Sequence, residues 1–243
     1  MNPAIPQSLQ KDIQQFVQSL TGALGEDLVS VVIYGGMAKN KVIKETDTVK
    51  LMVVIREVRT DILDRIAGPY MKHKRSNQIQ LLTLSEEDLR SSTDVFPIKF
   101  LDMQQDYMVL AGQDLVEGLE ISRENLRIRC EQELKNLMLR LRQTYIDHSS
   151  KPKILSSTMT KSYFVFLNGL DVLAELSTGN IYRQDDEIIN ACEELGLNMA
   201  PLKRLKQLRA GLIFDSTDEQ KTTYEELMAT VRQAASMADN LES

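Results

Sequence analysis

The chain reads as α+β followed by all-α: a domain of strands and flanking helices over 1–120, then a helical bundle over 121–243. Three observations lead there. Short β-branched apolar runs bounded by glycine or polar residues recur through the first 120 residues, stretches with helical spacing separate them, and from Ser122 onward the apolar residues recur only at intervals of three and four.

The elements follow in order. Pro6 and Ser8 open a helix carried by Leu9, Ile13, Phe16, Val17 and Leu20, which Gly22 and Gly25 are expected to end. Residues 28–34, LVSVVIY, are apolar, β-branched and too few for a stable helix, so they form a buried strand that Gly35 and Gly36 break. A second nearly continuous apolar strand runs from about Thr48 to Ile55. A helix from about Val58 to Ala67 follows, and Gly68 with Pro69 is expected to stop it. QIQLLTL (78–84) is a third strand, and Ser85 caps the acidic turn behind it. VFPIKFLDM (95–103) reads as a fourth strand, at an edge or a bulge because Pro97 lacks a backbone donor.

The second half carries helical patterns throughout. Leu126, Cys130, Leu134, Leu137, Met138, Leu141 and Tyr145 make 122–147 one long amphipathic helix. Further helices are expected at about 155–175, 184–195, 201–210 and 217–240. Pro201 suits a first helical turn, and Ser216 with Glu219 forms a capping-box pattern. The boundary between the halves falls near Gly118 to Ser122.

Composition narrows the function classes. With 42% hydrophobic and 26% charged residues in 243, the chain can bury two cores and is not expected to be disordered. A net charge of -6 lacks the basic excess that neutralises phosphates along a nucleic acid, so that partner is disfavoured. Cys130 and Cys192 lie far apart without zinc-ligand spacing, and His73 and His148 are too few for a multi-histidine metal site. No leader pattern opens the chain and no run of 18 apolar residues occurs, so a cytoplasmic protein with no membrane association is expected.

The stretch SVVIYGGMAKNKVIKETDTVKLMVVI (30–55) carries the chemistry. A glycine pair after a buried strand lets backbone approach a ligand, and amides opening the following helical turn can hold phosphate oxygens. A plain turn is the commoner meaning of such a pair. The wider arrangement is a strand ending YG, a short helix MAKN, a polar loop with Asp47 and a strand LMVVI. It resembles the nucleotidyltransferase superfamily that includes DNA polymerase beta and the aminoglycoside nucleotidyltransferases. The later segment FPIKFLDMQQDYMVLAGQDLVEGLEISRENLRIRCEQELKNLMLRLRQTYI is similar to one in a group of bacterial nucleotidyltransferase-domain proteins, so the resemblance covers about 30–147. It implies a nucleotidyltransferase-like mixed sheet and a nucleotide as ligand.

Enzymes of that family hold two divalent cations with three carboxylates, on a Gly-Ser turn, an Asp-x-Asp strand entrance and a later strand. Here the corresponding positions are Gly36 for the serine, Thr48 and Lys50 for the two aspartates, and Lys99 for the third carboxylate. An ammonium group cannot ligate magnesium, and at ~4 Å it repels each unit of cationic charge by about 4 kcal/mol at an effective dielectric near 20. The resemblance therefore implies a catalytically degenerate member: a nucleotide-, anion- or partner-binding regulatory module. In it Gly35, Gly36, Lys39, Lys50 and Lys99 face the ligand, with no metal or other cofactor.

Alternatives stay open at this level. Glu45 and Asp47, with Asp102, make a carboxylate set for an active magnesium-dependent enzyme. They precede the expected positions by three, however, and an odd shift turns them to the opposite face of a strand unless a bulge intervenes. Lys50 and Lys99 could instead pair with Asp47 and Asp102, while Lys39, Lys41 and Lys44 add positive potential or are simply solvated. Arg142 and His148 match a loose Arg-His ribonuclease spacing, for which a solvated arginine and histidine on one helix is the simpler account. The alternating charges of 122–147 suggest a solvated face, and the bundle's apolar surface leaves room for a purely structural protein, a homodimer included.

Overall fold

The structure, a computed structural model, describes residues 5–35, 48–74 and 79–241. It divides into two compact units, Met1–Ser122 and Arg123–Ser243. Among the described residues no helix is long and apolar enough to cross a membrane.

The first unit contains α1 (Gln7–Leu24), β1 (Leu28–Tyr34), β2 (Val49–Ile55), α2 (Thr60–Lys74), β3 (Ile79–Ser85), α3 (Glu86–Ser91), α4 (Pro97–Gln105) and β4 (Tyr107–Gly112). The strands form one mixed sheet in the order β3-β2-β1-β4, with β1 antiparallel to both neighbours and β2 parallel to β3. Period-two alternation divides the two central strands between two cores. Val31, Ile33, Leu51, Val53 and Ile55 pack with Ile13, Phe16 and Leu20 of α1 and Ile62 and Ile66 of α2. On the other face Val32, Tyr34, Met52 and Val54 pack with Leu89 of α3 and Phe100 and Met103 of α4. Both faces are covered, which is why β1 and β2 read as continuous apolar runs.

Several expectations change here. The apolar run 95–103 is not a strand: Pro97 occupies the first turn of α4, where its missing N–H costs no helical bond. Phe100 and Met103, three apart, give that helix its buried side. The fourth strand is YMVLAG, 107–112. The second helix passes through Gly68 and Pro69 to Lys74, because Ile62, Ile66 and Tyr70 keep a helical stripe against the core whose burial outweighs the lost hydrogen bond. Gly22 lies inside α1; Gly25, at φ 57°, ends it. Ser85 caps α3 as expected, its hydroxyl accepting from the Asp88 N–H while the Asp88 carboxylate accepts from the Ser85 N–H.

Arg65 on α2 closes the C-terminal end of α1. Its guanidinium donates to the carbonyls of Ala23 and Leu24 and to the Asp27 carboxylate, each at 2.7 Å, satisfying groups that the helix terminus leaves open. Arg65→Met should lower stability by about 1–2 kcal/mol, read as a reduced urea midpoint with an unchanged slope.

The second unit is a bundle of α5 (Arg123–His148), α6 (Pro152–Thr178), α7 (Asp185–Glu194), α8 (Ala200–Arg209) and α9 (Thr217–Asn240). Its core holds Leu134, Leu137, Tyr163, Phe166, Leu170, Leu202, Tyr224 and Val231. The Tyr224 hydroxyl donates to the Leu141 carbonyl at 2.8 Å and ties α9 to α5. The capping box expected at Ser216 is half formed: its hydroxyl accepts from the Glu219 N–H, but the Glu219 carboxylate takes the N–H of Asp215 and a bond from Arg204.

Candidate functional site

The site residues that are described gather where β1 ends and β2 begins. Lys50 stands opposite Tyr34 in the β1–β2 register, and Tyr34 stands opposite Tyr107 in the β1–β4 register. By alternation Thr48, Lys50 and Met52 share one face of β2, the face that α4 covers. Gly35 follows at φ 75°, a left-handed conformation that costs glycine nothing. The Lys50 side chain runs alongside it, so that a Cβ at position 35 would lie 3.5 Å from Lys50 Cδ.

Lys99 does not sit at a strand end, as expected, but in the first turn of α4. That helix packs on the sheet face where Lys50 lies. Its ammonium is held below the usual lysine range first by partial desolvation and then by the positive charge of Lys50. Among the described residues neither lysine makes an ion pair, so the expected Lys99–Asp102 bridge is not formed. Asp102, one turn further along α4, instead acts electrostatically on Tyr34, whose hydroxyl is pushed up by burial and then by that carboxylate. Tyr107 donates to Asp114 at 2.9 Å, and its hydroxyl is pushed up to about 12 by burial and this bond.

Gly36, Lys39, Lys41, Lys44, Glu45 and Asp47 lie outside the described residues, so the carboxylate set of the active-enzyme alternative is represented by Asp102 alone. Among the described residues no group of three or more His, Cys, Asp or Glu side chains is placed to hold a metal ion. The residues that the resemblance sets against carboxylates are a hydroxyl, Thr48, and two ammonium groups, Lys50 and Lys99, a donor set that does not fit a divalent cation; Lys99, however, stands on α4 and not on a strand.

What the sequence did not single out is Tyr34, which floors the site from the end of β1, and the helical character of 97–105. The Pro97, Phe100, Met103 spacing was the available signal for the latter.

The other constellations resolve as structure. Arg142 is exposed, and six helical positions separate it from His148, which turns the two about 120° apart around α5. Arg129 pairs with Glu133 at 2.7 Å and Lys135 with Glu131, so much of the α5 charge is a solvated i,i+4 face. Arg127 is the exception: it is mostly covered and donates to the Ala238 and Asp239 carbonyls at the end of α9. Cys130 and Cys192 are buried free thiols, each pushed up to about 12 chiefly by burial.

No protein-family model matches the sequence, and no curated protein matches it. Among solved structures the chain is similar to the spectinomycin adenyltransferase of Enterococcus faecialis, determined with ATP and spectinomycin. The TM-score is 0.56 at 14% identity, over 92% of this chain and 99% of that one. The mixed four-stranded sheet with flanking helices, followed by a helical unit, is thus a nucleotidyltransferase-like α+β fold.

Proposed function

We propose that this protein is a catalytically degenerate nucleotidyltransferase-like module that binds a nucleotide or another phosphate-bearing anion without a metal ion. One observation supports the reading: Lys50, which the resemblance sets against a family carboxylate, lies on the sheet face that α4 covers, and α4 carries Lys99 in its first turn. Each ammonium offers three donors and a positive charge to phosphate oxygens. Gly35 adds backbone that a ligand can approach without meeting a Cβ. The similar adenyltransferase was determined with ATP, which makes a nucleotide the first ligand to try.

Thermal unfolding with ATP and with GTP, each in EDTA and in magnesium, tests this. A ligand that binds the folded state raises its midpoint, and saturation at about 100 times Kd corresponds to about 2.7 kcal/mol. The expected result is a rise in EDTA and no release of pyrophosphate during incubation with candidate hydroxyl acceptors. Strict dependence on magnesium together with pyrophosphate release would instead establish an active enzyme built on Glu45, Asp47 and Asp102. No response to any nucleotide would favour a protein whose role is interaction with a partner chain.

A further inference from the structure

We infer that the groove between α1 and α2 is a second ligand site, one that takes a small hydroxylated anion such as a sugar phosphate or a sugar acid. It lies away from the site proposed above: α1 and α2 cover the face of β2 that carries Leu51 and Val53, whereas Lys50 lies on the face that α4 covers.

The groove has a volume of about 450 Å³ and is lined, among the described residues, by Gln15, Gln18 and Ser19 of α1 and by Lys72 and His73 of α2. Ligand pockets span roughly 300–1,000 Å³, so a molecule the size of a hexose phosphate fits with room for water. Positions 15, 18 and 19 are three and four apart and share one face of α1. His73 is only 8% exposed, and its ring meets the buried ring of Phe16 at 5.5 Å, which ties the two helices together at the floor of the groove.

The donors decide the ligand. Lys72 brings an ammonium with three N–H donors, and the two glutamines each bring an NH2 donor and a carbonyl acceptor. The Ser19 hydroxyl gives its proton to the Gln15 backbone carbonyl at 2.8 Å, so toward a ligand its oxygen accepts. A negative head group answers the ammonium, and ligand hydroxyls answer the glutamine and Ser19 oxygens. No acidic side chain is among the described lining residues, so a cation would meet Lys72 with nothing to offset it. An apolar molecule would strip water from five polar side chains without replacing their hydrogen bonds.

NMR of the histidine rings locates the ligand, since the chain has two histidines, His73 and, on α5, His148. Glucose 6-phosphate and gluconate are titrated into the full chain, with glucose as the neutral control. Both anions should shift the His73 signals, leave those of His148 in place, and bind at least ~10-fold more tightly than glucose. The tighter of the two identifies the head group as phosphate or carboxylate. Lys72→Gln, a change at an exposed side chain, should weaken both anions ~10-fold at an unchanged unfolding midpoint. The Lys50→Met, Lys99→Met variant should show the same His73 shifts as the wild type. No shift of His73, glucose binding as tightly as the anions, or shifts that survive Lys72→Gln unchanged but vanish in the Lys50→Met, Lys99→Met variant would overturn the assignment.

Discussion

Replacing Lys50 and Lys99 together by methionine should lower affinity for a phosphate-bearing ligand by two orders of magnitude or more, while leaving the unliganded protein at least as stable as before. Each charge-assisted hydrogen bond is worth about 1.5–3 kcal/mol, so losing two corresponds to roughly 100-fold at the least. The stability half of the expectation follows from the Lys99 ammonium, which is disfavoured first by partial desolvation and then by the charge of Lys50. Lys99 titrates below its ordinary range in the folded state, so protonating it favours the unfolded chain. That penalty is fully present below the folded value and disappears as pH rises through the interval up to the ordinary lysine range. Lys99→Met removes it at neutral pH, and its unfolding midpoint should depend less on pH across that interval than the wild type's does. A substitution that weakens binding without weakening the fold separates a ligand-facing lysine from a structural one. Loss of stability comparable to the loss of affinity would contradict the account.

Gly112→Ala should be among the most destabilising single substitutions in the first unit. Gly112 ends β4 at φ 80°, and a Cβ there would lie 2.0 Å from the Val29 carbonyl oxygen and 2.8 Å from its carbon. Nothing nearby can yield. The Gln113 N–H donates to that same Val29 oxygen at 3.0 Å, and the buried Ser30 hydroxyl donates to the Gln113 carbonyl at 2.6 Å. Alanine must break the β1–β4 edge or strain it, at a cost of about 3 kcal/mol or more. Gly179→Ala is the control, with nearly the same φ of 74° but open space around the missing Cβ. It should cost only about 1–2 kcal/mol, the penalty of the left-handed conformation itself. The difference between the two variants in denaturant unfolding isolates the clash. Equal losses would mean that strand β4 can move away from β1.

How much of this was legible in the sequence depends on which force fixed each element. Strands β1 and β2 were, because helices cover both faces and burial demands unbroken apolar runs. The bundle helices were, because their one-sided burial imposes the 3.6-residue period. The errors lie where local signals and packing disagree. Pro69 is a strong local stop, yet α2 continues past it to pack the partly buried Tyr70 and bury His73, and only the packed structure reveals that preference. The run 95–103 has strand-like composition, and the decision between strand and helix was made by the core contacts of Phe100 and Met103. Strand β4 is half-buried along most of its length, so neither alternation nor a solid apolar run announces it.

The candidate site shows the same division. Lys50 was placed on β2 by periodicity alone. Lys99 was assigned to the site by resemblance to a family, through a strand that turns out to be a helix, α4, which packs on the sheet face where Lys50 lies. The influence of Asp102 on Tyr34 depends on where α4 lies over the sheet, which no local pattern encodes.

The central proposal is that ammonium groups do the work of metal ions where β1 ends and β2 begins. Calorimetric titration of ATP into protein stripped of cations with EDTA, for the wild type and for the Lys50→Met, Lys99→Met variant, meets it head on. The account expects a binding isotherm in EDTA for the wild type and none for the variant. An isotherm that appears only after magnesium is restored, and is the same for both proteins, would contradict it.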